Sequence, residues 1–251
     1  MKKIFAFLLC ALCVAPFVAA QPLARVAPQQ VGIDPERMLN ADRIILDAIN
    51  NQEIPGAVLA VVKDGKMAYL KAYGNRRIVP NTEPMTANTI FDMASCSKSL
   101  GTAVCFMSLI EKGYVRLQDA VSTYIPGFTG WTSADGKNKT TIRVEHLLTH
   151  TSGIPPYVTP TELRKQFGEK ANADSLIKYI ATCPRDFEPG TDFQYSCLNF
   201  ITLQRILESV TGMSLRDYAQ KYVFQPLGMK HTDYLPCHLD EKSGLWVNDQ
   251  N

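Results

Sequence analysis

The chain has 251 residues, of which 46% are hydrophobic and 20% are charged, an ordinary globular composition that excludes the collagen, coiled-coil and disordered classes. Its 26 basic and 24 acidic side chains nearly balance, and they balance fully without Lys2 and Lys3. Because such a chain has no basic surface excess, we expect no nucleic-acid partner.

The first twenty residues have the pattern of a leader sequence. "MKK" precedes the apolar run "IFAFLLCALCVAPFVAA", in which Val18 and Ala20 suit the positions before a cleavage site. This predicts a signal peptide at 1–20 and a periplasmic or extracellular domain at 21–251. An uncleaved anchor is the alternative, but Pro16 interrupts a span that is already short for a bilayer. We therefore expect no stable membrane insertion after cleavage.

Cysteine spacing gives no metal or redox motif. The predicted mature chain keeps five cysteines: Cys96, Cys105, Cys183, Cys197 and Cys237. None forms a Cys-x-x-Cys pair, so zinc-ribbon and thioredoxin assignments have no support. On one helix Cys96 and Cys105 would lie roughly 13 Å apart, beyond the reach of a disulfide. A pairing such as Cys183 with Cys197 stays open.

The N-terminal part predicts a helix followed by a hairpin. Asp34 is a typical N-cap and Pro35 a typical first helical residue, with apolar residues following at helical spacing. Two β-rich runs then flank Asp64-Gly65, a dipeptide that favours a two-residue hairpin turn. A hairpin cannot bury its faces alone, so we expect further strands or covering helices.

Most of the remaining chain predicts helices. One helix should follow Ser95 and end near Gly113, with an apolar stripe of Leu100, Ala103, Val104, Met107 and Ile110. The tract 126–141 has the composition of a loop, and 142–156 predicts a short helix that ends at Ser152-Gly153.

Three further helices are predicted towards the C-terminus. The first is 173–183, and the second is 198–210, with an apolar face of Phe200, Leu203, Ile206, Leu207 and Val210. The third is 215–223, which Ser214 should cap.

Ser95 and Lys98 form a candidate nucleophile pair. At an i, i+3 spacing both side chains point from one helix face, with the hydroxyl in the first turn. There, backbone N–H groups can stabilise an oxyanion. A lysine amine that is partly buried loses basicity, and a neutral amine can take the serine proton. Ser-x-x-Lys also recurs by chance, because serine is a common N-cap and lysine is common on solvated faces.

The segments around this pair resemble the serine β-lactamase-related family, which includes class C β-lactamases, penicillin-binding D-alanyl-D-alanine peptidases and related esterases. The resemblance runs from about Asp34 to Tyr234 through "FDMASCSKSLG", "IRVEHLLTHTSGIP" and "FEPGTDFQYSC". It implies an α+β fold of the β-lactamase/transpeptidase type, with an antiparallel sheet flanked by helices and a helical subdomain. It implies Ser95 as nucleophile, Lys98 as base or proton shuttle, and Tyr195 as the residue that passes a proton to the leaving group.

Two departures from the family pattern weaken this expectation. Cys197 stands where the family's Tyr-x-Asn box has asparagine, and Asn199 is displaced along the chain. The family's third box normally follows much later, so Lys242-Ser243-Gly244 is taken as a coincidental match. We expect that the C-terminal strands are missing and that the tail from His238 departs from the family.

The resemblance implies acyl transfer to a β-lactam, a D-Ala-D-Ala peptide or a small ester, without a metal or organic cofactor. The alternative is a catalytically impaired homologue that binds a peptidoglycan-type ligand, or a non-functional fragment. His146 and His150, spaced i, i+4, would suit a metal, but the preceding glutamate does not complete an HExxH motif. Capping or core roles are favoured for both histidines.

Overall fold

The computed structural model describes residues 22–234 and the backbone of two short strands, Cys237–Leu239 and Trp246–Asn248. The predicted signal peptide and Lys242-Ser243-Gly244 lie outside the described residues. The chain divides into two compact units, one that ends at Thr89 and one that begins at Ile90.

The first unit contains the predicted helix. A 3₁₀ turn, Pro28–Val31, precedes helix α1, Pro35–Asn50. The Asp34 carboxylate accepts a hydrogen bond from the Glu36 N–H at 2.9 Å and so caps the first turn. The predicted N-cap and start of this helix are confirmed.

The predicted hairpin is also confirmed. Strands β1, Gly56–Lys63, and β2, Lys66–Arg77, pair antiparallel, and a short strand β3, Glu83–Pro84, extends the sheet in the order β1-β2-β3. The turn residues Asp64 and Gly65 both have positive φ, 52° and 66°. A type I′ turn requires this conformation, because its twist matches that of the two strands.

A buried carboxylate joins α1 to β2. Asp42, 8% exposed, accepts hydrogen bonds from the Tyr69 and Tyr73 hydroxyls at 2.5 Å each and from the Lys71 ammonium. The three partners alternate along one strand, so their side chains share one face of β2. These bonds lower the pKa of Asp42 to about 2, the Lys71 contact contributing most.

The second unit is mainly helical in its described part. Its helices are α2 (Val104–Glu111), α3 (Val144–Leu148), α4 (Pro160–Phe167), α5 (Ala173–Thr182), α6 (Cys197–Thr211) and α7 (Leu215–Ala219). Two π-helical segments, Lys98–Ala103 and Gln220–Phe224, precede α2 and follow α7.

The described part of the second unit also contains shorter elements. They are a 3₁₀ turn at Val121–Thr123, a hairpin of β4 (Trp131–Thr132) with β5 (Lys139–Thr140), and a second hairpin of β6 (Cys237–Leu239) with β7 (Trp246–Asn248).

The core of this unit surrounds α6. Leu203, Ile206 and Leu207 are completely buried, and Phe200 and Val210 are partly buried against the same cluster. The predicted apolar face of this helix is therefore confirmed, and so are the helix at 173–183 and the Ser214 cap, whose Oγ accepts from the Asp217 N–H at 3.0 Å.

The stripe predicted after Ser95 is wrong in its facing. Leu100 and Met107 are 55% and 67% exposed, whereas Cys105, Phe106 and Leu109 are completely buried. Nearly every residue of α2 is apolar, so two of its faces fit helical spacing, and the one with Cys105, Phe106 and Leu109 is buried.

The structure differs from the sequence expectations in three further places. The tract 126–141 is not all loop, since it contains the β4–β5 hairpin. Helix α3 ends at Leu148, before the predicted Ser152-Gly153. Helix α4 was not predicted, although Thr159 accepts from the Glu162 N–H and Glu162 bonds back to the Thr159 N–H. That capping box was visible in the sequence.

The expected α+β class is confirmed. Within residues 22–234, no helix combines the length and the apolar character that crossing a bilayer requires.

Candidate active site

Ser95 and Lys98 lie in hydrogen-bond contact at the start of the helical segment that leads into α2. The Lys98 Nζ is 3.1 Å from the Ser95 Oγ. The Lys98 N–H also bonds to the Ser95 carbonyl at 3.1 Å, so the serine belongs to the first turn. Ser95 is exposed and Lys98 half-buried. The i, i+3 geometry expected from the sequence is therefore present.

The backbone before the serine adopts an uncommon conformation. Ala94 has a φ of +41°, which is rare for a residue with a Cβ. Two hydrogen bonds hold it there: the Asp92 carboxylate accepts from the Ala94 N–H at 2.9 Å, and the Ser97 hydroxyl donates to the Ala94 carbonyl at 2.5 Å. Such strain persists only when neighbouring contacts fix it, and it is frequent at functional sites.

Tyr195 lies beside the pair although it is about a hundred residues away in sequence. The Lys98 Nζ is 5.1 Å from the centroid of its ring, within cation–π range. Tyr195 sits two residues before the first residue of α6 and is 43% exposed. Ser95, Lys98 and Tyr195, the three residues predicted from sequence, therefore form one cluster at the protein surface.

The charge of Lys98 differs from the sequence expectation. Burial lowers the pKa of Lys98, but hydrogen bonding and electrostatic attraction to Tyr195 and Cys197 outweigh burial, and the net pKa is raised above its ordinary value. The prediction of a depressed lysine pKa is therefore wrong. With this raised pKa, Lys98 is an ammonium at neutral pH and donates to the Ser95 oxygen.

The asparagine after the tyrosine box does not replace the residue lost at Cys197. Asn199 is completely buried, its Oδ1 accepts from the Ser152 hydroxyl at 2.6 Å, and its Nδ2 lies 3.3 Å from the His150 Nδ1. Both ends of the amide are therefore engaged inside the protein. Cys197, half-buried at the first position of α6, is the side chain that contributes to the electrostatics of Lys98.

The two histidines do not share one helix. His146 lies in α3, and its Nδ1 accepts from the Arg143 N–H at 3.1 Å, a capping contact. His150 lies beyond the helix with a φ of +58°, and its ring is 4.6 Å from that of Tyr195. Sequence reasoning did not connect His150 with Tyr195, and nothing in their spacing could have done so.

The thiols in the described range are free. Cys96 is exposed, Cys197 is half-buried, and Cys105 and Cys183 are buried. The pairing of Cys183 with Cys197 that the sequence left open is not formed.

The family model described as Beta-lactamase matches residues 41–247. The chain belongs to the beta-lactamase family. The match enters the tail that was expected to depart from the family at His238, so that expectation is wrong. The expected β-lactamase/transpeptidase-like fold is confirmed, whereas the absence of C-terminal strands stays a prediction.

Two curated relatives are named as an amidase and as a putative carboxypeptidase. The chain is 34% identical to an N-acetylmuramyl-L-alanine amidase of Bacillus subtilis over 72% of this chain and 43% of the relative. It is 30% identical to a putative D-alanyl-D-alanine carboxypeptidase of Salmonella enteritidis over 88% and 52%. The chain thus spans about half the length of the curated relatives it matches.

Two solved structures share the fold. EstCE1, described as a hydrolase with promiscuous acyltransferase activity, superposes with a TM-score of 0.63 at 27% identity over 81% of this chain and 54% of its own. The octameric penicillin-binding protein homologue from Pyrococcus abyssi gives a TM-score of 0.62 at 26% identity, over 84% and 50%.

Proposed function

We propose that the protein is a serine hydrolase that works through an acyl-enzyme on Ser95. The observation that carries the proposal is the contact between the Lys98 Nζ and the Ser95 Oγ at 3.1 Å, beside Tyr195. An exposed hydroxyl with a proton-transferring partner in hydrogen-bond reach is the arrangement that nucleophilic catalysis needs. Membership of the beta-lactamase family supports the same reaction class.

The number of protons that Lys98 and Tyr195 carry together determines whether they can activate Ser95. The reactive form carries one proton fewer than an ammonium on Lys98 together with a phenol on Tyr195. That form accepts the Ser95 proton as the Ser95 oxygen bonds to the substrate carbonyl carbon, and returns the proton to the leaving group when the C–N or C–O bond breaks. Water then loses a proton to the same pair as its oxygen bonds to the acyl carbon, and the pair returns that proton to the Ser95 Oγ as the acyl C–Oγ bond breaks, which releases the acid. The proton is assigned to the pair, because the Lys98 Nζ lies 5.1 Å from the centroid of the Tyr195 ring.

The substrate class is an acyl compound with an accessible carbonyl. A D-alanyl peptide, a β-lactam and a small ester all fit the chemistry, since each acylates a serine and leaves an amine or alcohol. The names of the amidase and carboxypeptidase relatives favour a peptidoglycan peptide, and the acyltransferase activity of EstCE1 is compatible with an ester. We also propose that residues 1–20 direct the protein to the periplasm or the exterior.

A second candidate is a catalytically impaired homologue that binds the same ligands. Cys197 favours it, because a thiol makes weaker hydrogen bonds than the asparagine amide that the family's box provides. The pKa of Lys98 favours it as well. Burial lowers this pKa, but the contacts with Tyr195 and Cys197 raise it by more. In that form the lysine cannot take a proton from Ser95.

The test is covalent labelling of the full mature chain with a fluorophosphonate and with a labelled penicillin. We expect one label per molecule, located on Ser95 by peptide mass spectrometry. Ser95→Ala should take none, whereas Ser99→Ala, which changes an exposed serine of the same segment, should label as the parent does.

Three results would decide against the proposal. A label that persists in Ser95→Ala places the nucleophile elsewhere. No label with a folded circular-dichroism spectrum favours the binding module. If no label is found and the circular-dichroism signal shows no cooperative thermal unfolding, the fragment is favoured.

A further inference from the structure

His150 contacts the site from outside the reacting pair. Its ring centroid lies 4.6 Å from that of Tyr195, 5.2 Å from Phe200 and 6.1 Å from Phe193. Tyr195 is therefore packed on His150 while its ring also lies within 5.1 Å of the Lys98 Nζ. A change in the His150 ring position would move the Tyr195 ring relative to the lysine.

The hydrogen bonds of His150 fix its tautomer. The Ser196 N–H points at the His150 Nδ1 at 3.2 Å, and the Asn199 Nδ2 lies 3.3 Å from the same atom. A backbone N–H can only donate, so Nδ1 carries a lone pair and the single ring proton of the neutral imidazole is on Nε2. Burial, and secondarily the charge of Lys98, lower the pKa of His150 and so maintain this neutral acceptor.

A buried hydrogen-bond network connects the His150 Nδ1, through the Asn199 amide, to Ser152 and Ile154. The Ser152 hydroxyl donates to the Asn199 Oδ1 at 2.6 Å and accepts from the Ile154 N–H at 3.1 Å. Ser152 and Asn199 are 1% and 0% exposed, so these bonds face no competition from water. This orients the Asn199 amide with its Nδ2 towards His150.

The backbone repeats the connection on each side of Tyr195. The Gln194 N–H donates to the His150 carbonyl at 2.9 Å, and the Ser196 hydroxyl donates to the Pro155 carbonyl at 2.6 Å. The residues before and after Tyr195 are therefore both anchored to the segment that follows α3. His150 has a φ of +58°, a conformation that costs energy in a residue with a Cβ. In this conformation its carbonyl meets the Gln194 N–H and its ring meets the Ser196 N–H.

We propose that His150 is a positioning residue whose Nδ1, by accepting from the Ser196 N–H and the Asn199 amide, holds Tyr195 beside Lys98. The proposal rests on the proposed acyl-enzyme function, because Tyr195 matters to the reaction only if Ser95 is acylated. His150 itself transfers no proton. It acts through the placement of Tyr195.

Two substitutions separate the acceptor from the ring. His150→Asn keeps an acceptor oxygen near the position of Nδ1, and asparagine tolerates the left-handed backbone. His150→Phe keeps a ring of similar shape but leaves the Ser196 N–H and the Asn199 amide without their acceptor. His231→Asn and His231→Phe, at an exposed histidine of the same unit, are the matched controls.

The first measurement is the rate constant of Ser95 acylation by a fluorophosphonate, read with the thermal midpoint of each variant. We expect His150→Asn to stay within about threefold of the parent and His150→Phe to fall by about tenfold or more, the effect of one lost hydrogen bond at a buried donor. Equal rates for His150→Phe and the parent would overturn the proposal. So would a loss in His150→Asn as large as that in His150→Phe, since a retained acceptor would then not preserve the rate.

The second measurement does not need activity. Amide hydrogen exchange at Ser196 should quicken by about tenfold or more in His150→Phe and stay near the parent rate in His150→Asn. In ¹⁵N-histidine spectra the His150 Nδ1 should show the shift of an unprotonated acceptor at pH 7. A parent protein that is never labelled refutes the acyl-enzyme function alone. A protonated Nδ1, or unchanged Ser196 exchange in His150→Phe, refutes the positioning role.

Discussion

The carboxylate of Asp42 should stabilise the first unit, and its removal gives a measurable test. In Asp42→Ala the Tyr73 hydroxyl, in a side chain that is 4% exposed, loses its acceptor, which costs about 1–3 kcal/mol. The half-buried Tyr69 hydroxyl adds a smaller amount. Lys71 is exposed, so its ion pair is screened by solvent and contributes little. We therefore expect Asp42→Ala to lower the free energy of unfolding by about 2–4 kcal/mol at pH 7.

A second variant distinguishes hydrogen bonding from charge. Both tyrosine hydroxyls bond to the Oδ1 atom of Asp42, and the lysine bonds to Oδ2. With its Oδ1 in the same place, Asp42→Asn therefore keeps an acceptor for both hydroxyls, and it loses the negative charge together with the exposed acceptor of Lys71. We expect it to cost about half as much as Asp42→Ala, because hydrogen bonds to a charged acceptor are about twice as strong as neutral ones.

The effect should depend on pH in a defined window. The folded pKa of Asp42 lies at about 2, below its ordinary value of 3.8. A depressed carboxyl pKa stabilises the folded state above the unfolded pKa, and this stabilisation is lost as the pH falls from about 4 towards 2. The difference between parent and Asp42→Asn should therefore shrink across that range.

Hydrogen exchange of the β1 and β2 amides is the assay, because it reports the opening of this unit separately from the helical one. Asp47→Ala, at an exposed acid on the same helix, is the control. The reasoning would be refuted if Asp42→Ala changed exchange no more than Asp47→Ala, or if the Asp42→Asn difference were the same at pH values of about 2.5 and 7.

Three further predictions concern the second unit. Gly101→Ala should cost about 1–3 kcal/mol of stability, because an added Cβ would lie 2.1 Å from the Tyr234 hydroxyl; thermal unfolding should show a smaller loss in a Tyr234→Phe background. Cys197→Asn should raise the rate of Ser95 acylation, by about tenfold if one ordinary hydrogen bond is gained; an unchanged or lower rate would contradict this. Since the pKa of Lys98 is raised, the acylation rate of the parent should increase with pH from about 7 to 10, and a flat profile would exclude proton loss from the lysine–tyrosine pair.

Local signals predicted much of the fold. The Asp34 cap, the Asp64-Gly65 turn and the buried face of α6 depend on residues within one turn or one helix, and each is found where the sequence placed it. The facing of the helix after Ser95 could not be predicted. Helix α2 is apolar nearly all round, so which face is buried is decided by tertiary packing, and only Cys105, Phe106 and Leu109 lie in the core.

The site shows the same division. Ser95 and Lys98 meet because of their i, i+3 spacing, which is directly visible in the sequence. Tyr195 was found only through the family's tyrosine box, and its neighbour His150 was considered only as a metal ligand or as a capping or core residue. The contact between His150 and Tyr195 depends on hydrogen bonds between residues 150–156 and 194–199, which tertiary folding alone brings together.

The protonation state of Lys98 is where local reasoning reaches its limit. The i, i+3 spacing places the Lys98 amine beside the Ser95 hydroxyl. Whether that amine can accept a proton depends on Tyr195 and Cys197, which lie just before α6 and at its first position. Both raise the pKa of Lys98, in opposition to burial. A lysine that is held as an ammonium accepts the Ser95 proton only after the lysine–tyrosine pair has lost one proton. The position of Tyr195, and through it the acceptor on His150, therefore bears on reactivity as directly as the serine–lysine spacing does.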